Sequence, residues 1–235
     1  MRGAWRGAAA WVRVPAAAAR STTHPNAEAM TENDVEIIEK RTLYQGYFRI
    51  DSYRLRHRLH AGGWSDAIDR ELFERGHVAA VLPYDPVADT VVLLEQFRVG
   101  AYVAGLPSWQ IEIVAGIIEA GETVEAVARR ESAEEAGCEI LELAPICRYL
   151  VSPGGATETV MLYCGRVDSR GLGGIHGLKH EHEDIRVDVV PYEQARDWLD
   201  RGRIGNALTL IALQWLALHR DELRGRWLAA PAGGR

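Results

Sequence analysis

Cysteine is scarce in this 235-residue chain, and the three present, Cys138, Cys147 and Cys164, show no C-x2-C spacing and cannot all pair. That argues against a disulfide framework and against a zinc knuckle. Long apolar runs are missing too. None approaches the roughly 20 residues that a helix needs to cross a bilayer, so no membrane partner is expected. There is no basic excess either: the formal charge is −6, which argues against a general nucleic-acid binder. What remains is ordinary, with 47% hydrophobic and 26% charged residues. This is the balance of a folded chain with enough apolar side chain for a sizeable core. The length suits one domain and an extension better than two large domains.

Acidic residues are absent from the first 27 positions, which hold Arg2, Arg6, Arg13, Arg20 and nine alanines. An Arg-rich, acid-free leader has the composition of a mitochondrial transit peptide. The plainer reading is an upstream extension with translation starting at Met30, and the expectation drawn from it is a cytoplasmic protein. Residues 1–29 are therefore read as a biased leader, and the stretch from 223 to 235, ending in AAPAGGR, as a tail.

Between these ends, β-branched and aromatic segments predict strands at Val35–Ile38, Tyr47–Leu59, Val78–Pro83, Thr90–Phe97, Trp109–Val114, Ile146–Val151, Val160–Cys164 and Ile185–Val190. Helices are predicted over 123–136, 192–201 and 206–220. Strands interrupted by a few helices point to an α+β fold. Residues 31–76 read as a small antiparallel unit ahead of a main domain over 77–222, because a strongly apolar strand follows Arg75-Gly76.

One segment carries chemistry. Thr123 is a plausible N-cap for the helix over 123–136, Glu125 suits its positive end, and Gly137 suits its C-terminal stop. At about 100° per residue, Val124, Val127, Ala128, Glu131 and Glu135 share one sector, with Glu134 at its edge. Two carboxylates thus lie on the face that the apolar residues turn inward. One turn apart, each raises the energy of ionising the other. Basic side chains or hard divalent cations would relieve them. Arg130 sits on a different sector and is expected to hold Glu122 rather than to neutralise both. A solvated, salt-bridged helix face is the competing reading.

Gly116, Glu122, Arg130, Glu131, Glu134, Glu135 and Gly137 match G-x5-E-x7-R-E-U-x-E-E-x-G-U, the Nudix box, in which U is a bulky apolar residue. Seven fixed positions would coincide by chance in such a chain roughly once in a million. Ser132 and Cys138 depart from the pattern at U positions, which puts local helix packing in question. Beyond the box, NDVEII (33–38), YRLRHRL (53–59), FERGH (73–77), EQFR (95–98), SPGG (152–155), GIHGL (174–178) and HEDIRV (182–187) resemble the ADP-ribose pyrophosphatase branch of the Nudix superfamily. The resemblance implies a Nudix α/β/α sandwich preceded by a small N-terminal antiparallel β domain that helps build a homodimer. It also implies Mg2+-dependent hydrolysis of ADP-ribose, with Mn2+ as a possible substitute.

The resemblance assigns roles residue by residue. Glu131 and Glu135 would be metal ligands, with the Ala115 carbonyl completing the inner shell and Glu134 in support. In the loop that follows Gly177, Glu181 would be the general base and Glu183 a further metal ligand. Arg98 and Arg70 match positions around the diphosphate and ribose, Tyr47 an adenine-stacking position, and Glu158 a position near the terminal ribose. His176, His180 and His182 lack a cysteine partner and make a weak zinc set. Two competing functions remain: hydrolysis of another nucleoside diphosphate sugar such as GDP-mannose, and a non-catalytic ADP-ribose sensor. The intact box carboxylates and the lack of a basic helix-turn-helix segment argue against the sensor.

Overall fold

The computed structural model describes residues 32–178 and 182–229. After a short 3-10 turn, β1 (Val35–Gln45), β2 (Arg49–His57) and β3 (Ile68–Glu74) form an antiparallel three-stranded sheet in that order. This is the small unit expected ahead of the main domain. β1 is far longer than its four-residue apolar signal suggested, because the mostly polar residues 39–45 continue the ladder with β2 through two register shifts. β3 was not foreseen. Its sequence, IDRELFE, is too charged for a strand signal, and it holds its place by pairing with β2.

The main sheet has eight strands: β4 (Val78–Asp85), β5 (Thr90–Phe97), β6 (Trp109–Glu112), β7 (Val114–Ile117), β8 (Glu142–Leu150), β9 (Thr159–Arg166), β10 (Gly174–His176) and β11 (Ile185–Pro191). The main path runs β10-β11-β5-β4-β9-β8, while β6 pairs with β5 and β7 with β4. Only β4 and β9 run parallel; the other pairings are antiparallel. The expected single strand over Trp109–Val114 is thus two strands, broken at Ile113, one for each of two neighbours.

β4 is buried along its whole length, and its two faces feed two cores. Val78, Ala80, Leu82 and Tyr84 pack with α3 (Tyr192–Asp200) and α4 (Ala207–Ala229). Ala79 and Val81 face the other way, toward Val127, Ala128 and Ala136 of α2 (Val124–Ala136). Helices on both faces of a mixed sheet give the α/β/α sandwich. A short α1 (Val99–Val103) follows β5.

The boundary at 222 needs correction. α4 continues to Ala229, and Leu223 and Trp227 are core residues, with the Trp227 ring 6.3 Å from that of Tyr84. Residues 223–229 belong to the fold because their apolar side chains recur at helical spacing. Residues 1–31 and 230–235 lie outside the described residues, and with them most of the leader and the last part of the tail.

The small sheet is hydrogen-bonded to the main domain through β3. Phe73 N donates to Gly155 O at 2.8 Å, Thr157 N donates to Phe73 O, and Thr157 Oγ1 donates to Glu74 Oε2 at 2.6 Å. The SPGG turn at 152–155 is thereby fastened to β3.

Candidate active site

Helix α2 begins and ends where its sequence dictates. Thr123 Oγ1 accepts from Ala126 N at 3.2 Å, and Gly137 takes a left-handed φ of 62°, with its N–H and that of Cys138 closing onto the last-turn carbonyls. A side chain at Gly137 would also come within 2.9 Å of His176 Cε1, so the imidazole would have to move aside. The departures from the box pattern fit without difficulty. Ser132 is fully buried because its hydroxyl donates to Ala128 O at 2.7 Å, and Cys138 packs in the core at 1% exposure.

Gly116 on β7 brings strand and helix together. A Cβ on it would lie 1.8 Å from Glu131 Oε1, so only a hydrogen leaves room for the carboxylate against the strand. One residue earlier, Ala115 N donates to Glu135 Oε2 at 3.0 Å. The strand that carries Ala115 and Gly116 is therefore clasped to the helix through both acidic side chains.

Arg130 does more than hold Glu122. Its Nε and Nη2 fork onto Glu122, whose Oε2 in turn accepts from Glu119 N at 3.0 Å, and its Nη1 reaches Glu131 at 2.9 Å and Glu134 at 3.1 Å. The expectation that Arg130 holds Glu122 and does not neutralise both inward carboxylates is met: its long side chain adds Glu131 and Glu134, and among the described residues no contact joins it to Glu135. Its hydrogen bonds, with that backbone N–H, hold the Glu122 carboxyl below the usual range. Among the described residues Glu135 receives no such ion pair. Burial, eased by the Ala115 N–H and aggravated by Glu131 and Glu183, pushes its pKa up to about 8. Burial also raises Glu131, with Arg130 opposing the shift.

Two further groups act on this centre. Glu183 is half-buried, accepts from Leu178 N at 3.1 Å, and exerts its charge on Glu131, Glu135 and Arg98. Gly177, at φ 100°, packs against Glu183 Cβ, where a Cβ of its own would clash. Arg98, at the end of β5, is half-exposed and forks onto buried Glu112. Burial works against its charge, while Glu112, and beyond it Glu135 and Glu183, hold its pKa above the usual value. Glu181 lies outside the described residues.

A second group surrounds the docking turn. Glu158 is buried, and Arg75 Nη1 lies 3.5 Å from it. The Arg75 guanidinium sits over the Phe48 ring, which meets Tyr47 edge-on at 4.8 Å and Phe73 at 5.0 Å. Tyr47 is 86% exposed, an open aromatic face joined to the buried carboxylate only through Phe48 and Arg75. The Arg70 side chain, exposed on β3, bonds to its neighbour's carbonyl, Asp69 O, and among the described residues no contact joins it to the helix carboxylates. Arg75, Phe48 and Glu112 were not singled out in the sequence. FERGH did contain Arg75, but nothing in its spacing pointed to Glu158, 83 positions on.

The donor set around α2 is all oxygen, the preference of Mg2+ and Mn2+. Glu135, buried and, among the described residues, without a cationic neighbour in contact, is the carboxylate whose charge a dication would balance. Among the described residues, no three acidic, histidine or cysteine side chains already converge as a finished cage.

A model of the Nudix domain matches residues 67–211. The chain belongs to the Nudix family. It is 53% identical over 196 residues to the ADP-ribose pyrophosphatase of Escherichia coli (strain K12), covering 83% of this chain and 94% of that protein. Identity to the ADP-ribose pyrophosphatase of Haemophilus influenzae is 43% over 200 residues, covering 84% and 92%. The GDP-mannose pyrophosphatase of Enterobacter sp. (strain 638) is more distant, at 34% over 188 residues, covering 78% and 95%. A crystal structure of an ADP compounds hydrolase superposes with a TM-score of 0.60 at 21% identity, covering 82% of this chain and 96% of that one, a likeness of fold. Gly116, Glu122, Arg130, Glu131, Glu134, Glu135 and Gly137 are thus a Nudix box in a Nudix fold.

Proposed function

We propose that this Nudix protein hydrolyses ADP-ribose to AMP and ribose 5-phosphate. The observation that carries the proposal is the clasp of Glu131 and Glu135 against Ala115-Gly116, with Glu183 and Arg98 within electrostatic reach. The 53% identity to an ADP-ribose pyrophosphatase supports the choice of substrate.

Mg2+, or Mn2+ in its place, would be held by Glu131, Glu135 and the Ala115 carbonyl, with Glu134 and Glu183 in support. When bound it supplies positive charge to the phosphoryl oxygens and lowers the pKa of an attacking water. Glu181 takes the proton of that water as its oxygen attacks one phosphorus, and the bridging P–O bond breaks to release the two monophosphates. Arg98 grips the diphosphate through its planar fork. Tyr47 stacks on adenine, Arg70 reaches the ribose and diphosphate side, and Glu158 meets the terminal ribose.

A homodimer is part of the same proposal. All eleven residues of β1 are exposed, and Val35, Ile37, Ile38, Leu43 and Tyr44 carry apolar surface on it. A long exposed strand of this kind invites pairing unless something covers it, and a second copy would do so. No helix among the described residues is long and apolar enough to cross a membrane. In this reading the enzyme works in the cytoplasm on a small molecule.

The test is a substrate panel of ADP-ribose, GDP-mannose and other nucleoside diphosphate sugars, with and without Mg2+, followed by product identification. ADP-ribose is expected among the best substrates by kcat/KM, with activity lost on chelation. A preference for GDP-mannose would overturn the substrate and keep the chemistry.

A further inference from the structure

Arg98 is a long, flexible side chain whose usefulness to a diphosphate depends on where its guanidinium is held. Its backbone is fixed, since Arg98 N donates to Ser108 O at 2.8 Å beside the β5–β6 pairing of Phe97 and Trp109. Among the described residues the side chain is held by one partner. Glu112 ends β6 and is 3% exposed. Its Oε2 accepts from Arg98 Nε at 3.0 Å and Nη2 at 2.7 Å, and Arg98 Nε also lies 3.2 Å from Oε1. One edge of the guanidinium is therefore engaged. Among the described residues Nη1 has no hydrogen-bond partner, so the opposite edge stays available.

Glu112 is itself held from two other elements. Gln96 of β5 donates to its Oε2 at 3.3 Å, and Asn206 Nδ2 donates to its Oε1 at 3.0 Å. Asn206 stands at the start of α4, where its side-chain oxygen accepts from Thr209 N at 3.3 Å and its carbonyl from Leu210 N at 3.0 Å. Thr209 is fully buried, and its hydroxyl reaches Ile111 O at 3.4 Å. The chain of contacts runs from the buried start of α4, through the carboxylate, to the arginine.

We infer that Glu112, anchored by Asn206 and Gln96, is a positioning residue that sets the Arg98 guanidinium for the diphosphate of the substrate. A buried carboxylate costs several kcal/mol unless its hydrogen bonds are filled. Here three side chains fill them, and the only one of the three that is half-exposed is the arginine. The arrangement gives up part of the arginine's charge in exchange for a fixed direction, which matters when a ligand must be met by a planar fork. The inference rests on the reading that Arg98 grips the diphosphate.

A double-mutant cycle decides it. Glu112→Gln keeps shape and removes charge. Asn206→Ser keeps a helix cap and removes the donor to Glu112, which gives a second route should the first variant fold poorly. With Mg2+ and ADP-ribose, Glu112→Gln is expected to lower kcat/KM by about 10–100-fold, the range for partners that orient a site residue. Most of the loss should fall in KM, and Asn206→Ser should move the same way by less. In an Arg98→Ala background, either substitution should change kcat/KM by no more than about twofold, the scatter of uncoupled sites. An effect of the same size with and without Arg98, or no effect in its presence, overturns the inference. If wild type leaves ADP-ribose intact but cleaves another nucleoside diphosphate sugar, only the substrate reading falls, and the same cycle read on that sugar still decides the role of Glu112.

Discussion

Two residues on β7 govern how much acidity α2 can bring to the centre. Gly116 supplies the space, and Gly116→Ala would drive the Glu131 carboxylate out of its place, since the added carbon would sit 1.8 Å from an oxygen. The expected result is a folded protein with unchanged circular dichroism, weaker Mn2+ binding by electron paramagnetic resonance, and much lower turnover. Ala115 supplies the N–H that steadies Glu135. Glu135→Gln retains that hydrogen bond and removes the charge. Turnover should fall on the order of 10²–10³-fold, the size lost when one electrostatic partner of a transition state is removed. Unchanged turnover would contradict the metal assignment. Glu181→Gln should lower kcat by about 10²–10⁴-fold, the contribution of a general base, and move KM far less. An equal loss in binding alone would exclude a base there.

At the scale of elements, a partly buried ion pair ties α4 to the β4–β5 turn. Arg220 bonds to Asp89, and the Tyr84 hydroxyl donates to the same carboxylate at 2.8 Å. Arg220 above all holds Asp89 below the usual carboxylate range, against the effect of burial. A depressed carboxyl contributes stability above its unfolded pKa, and that stability disappears as pH falls through the folded value. Asp89→Asn suits the site because Asn tolerates the left-handed φ of 57° found there. It should lower stability near neutrality by about 1.5–3 kcal/mol and flatten the fall in melting temperature below about pH 4. Further along α4, Trp227→Ala should cost about 3–5 kcal/mol. Trp227→Phe should cost much less, because the indole N–H is buried with no partner among the described residues. Denaturant titration separates the two.

The same scale explains what could be read in advance. α2 was legible to within a residue because its stop and start signals, Thr123 and Gly137, act locally. β5 was legible because Thr90–Phe97 is apolar between turns. β3 was not, since its register is set by β2 across the sheet, and α1 carries no buried residue to leave a pattern. The acidic face of α2 followed from helical periodicity. The links from Arg75 to Glu158, from Glu112 to Arg98 and from Asn206 to Glu112 did not. Each joins positions between 14 and 94 apart, and only the packed fold brings them together.

For the molecule as a whole, the small sheet leaves β1 uncovered while β3 is hydrogen-bonded into the site-bearing turn. If a second copy covers β1, sedimentation should give about twice the 26.0 kDa of one chain. Replacing Ile37 and Leu43 by Lys should then yield a monomer with intact helices. A native mass of one chain for the unmodified protein would remove the dimer from the proposal.

The parallel partner of the central strand arrives late. Val78 is aligned with Val160 and Tyr84 with Arg166, so the middle of the sheet cannot zip until some eighty residues have been looped out. Until then the newly made segment VAAVLPYD, apolar on both sides, can pair with β5 and β7 but keeps the edge meant for β9 open. Closing so long a span makes refolding slow, in the millisecond-to-second regime of contacts distant along the chain. A chain truncated before Val160 leaves that edge unpaired and is expected to aggregate where the full-length chain stays in solution, which light scattering of the two would show.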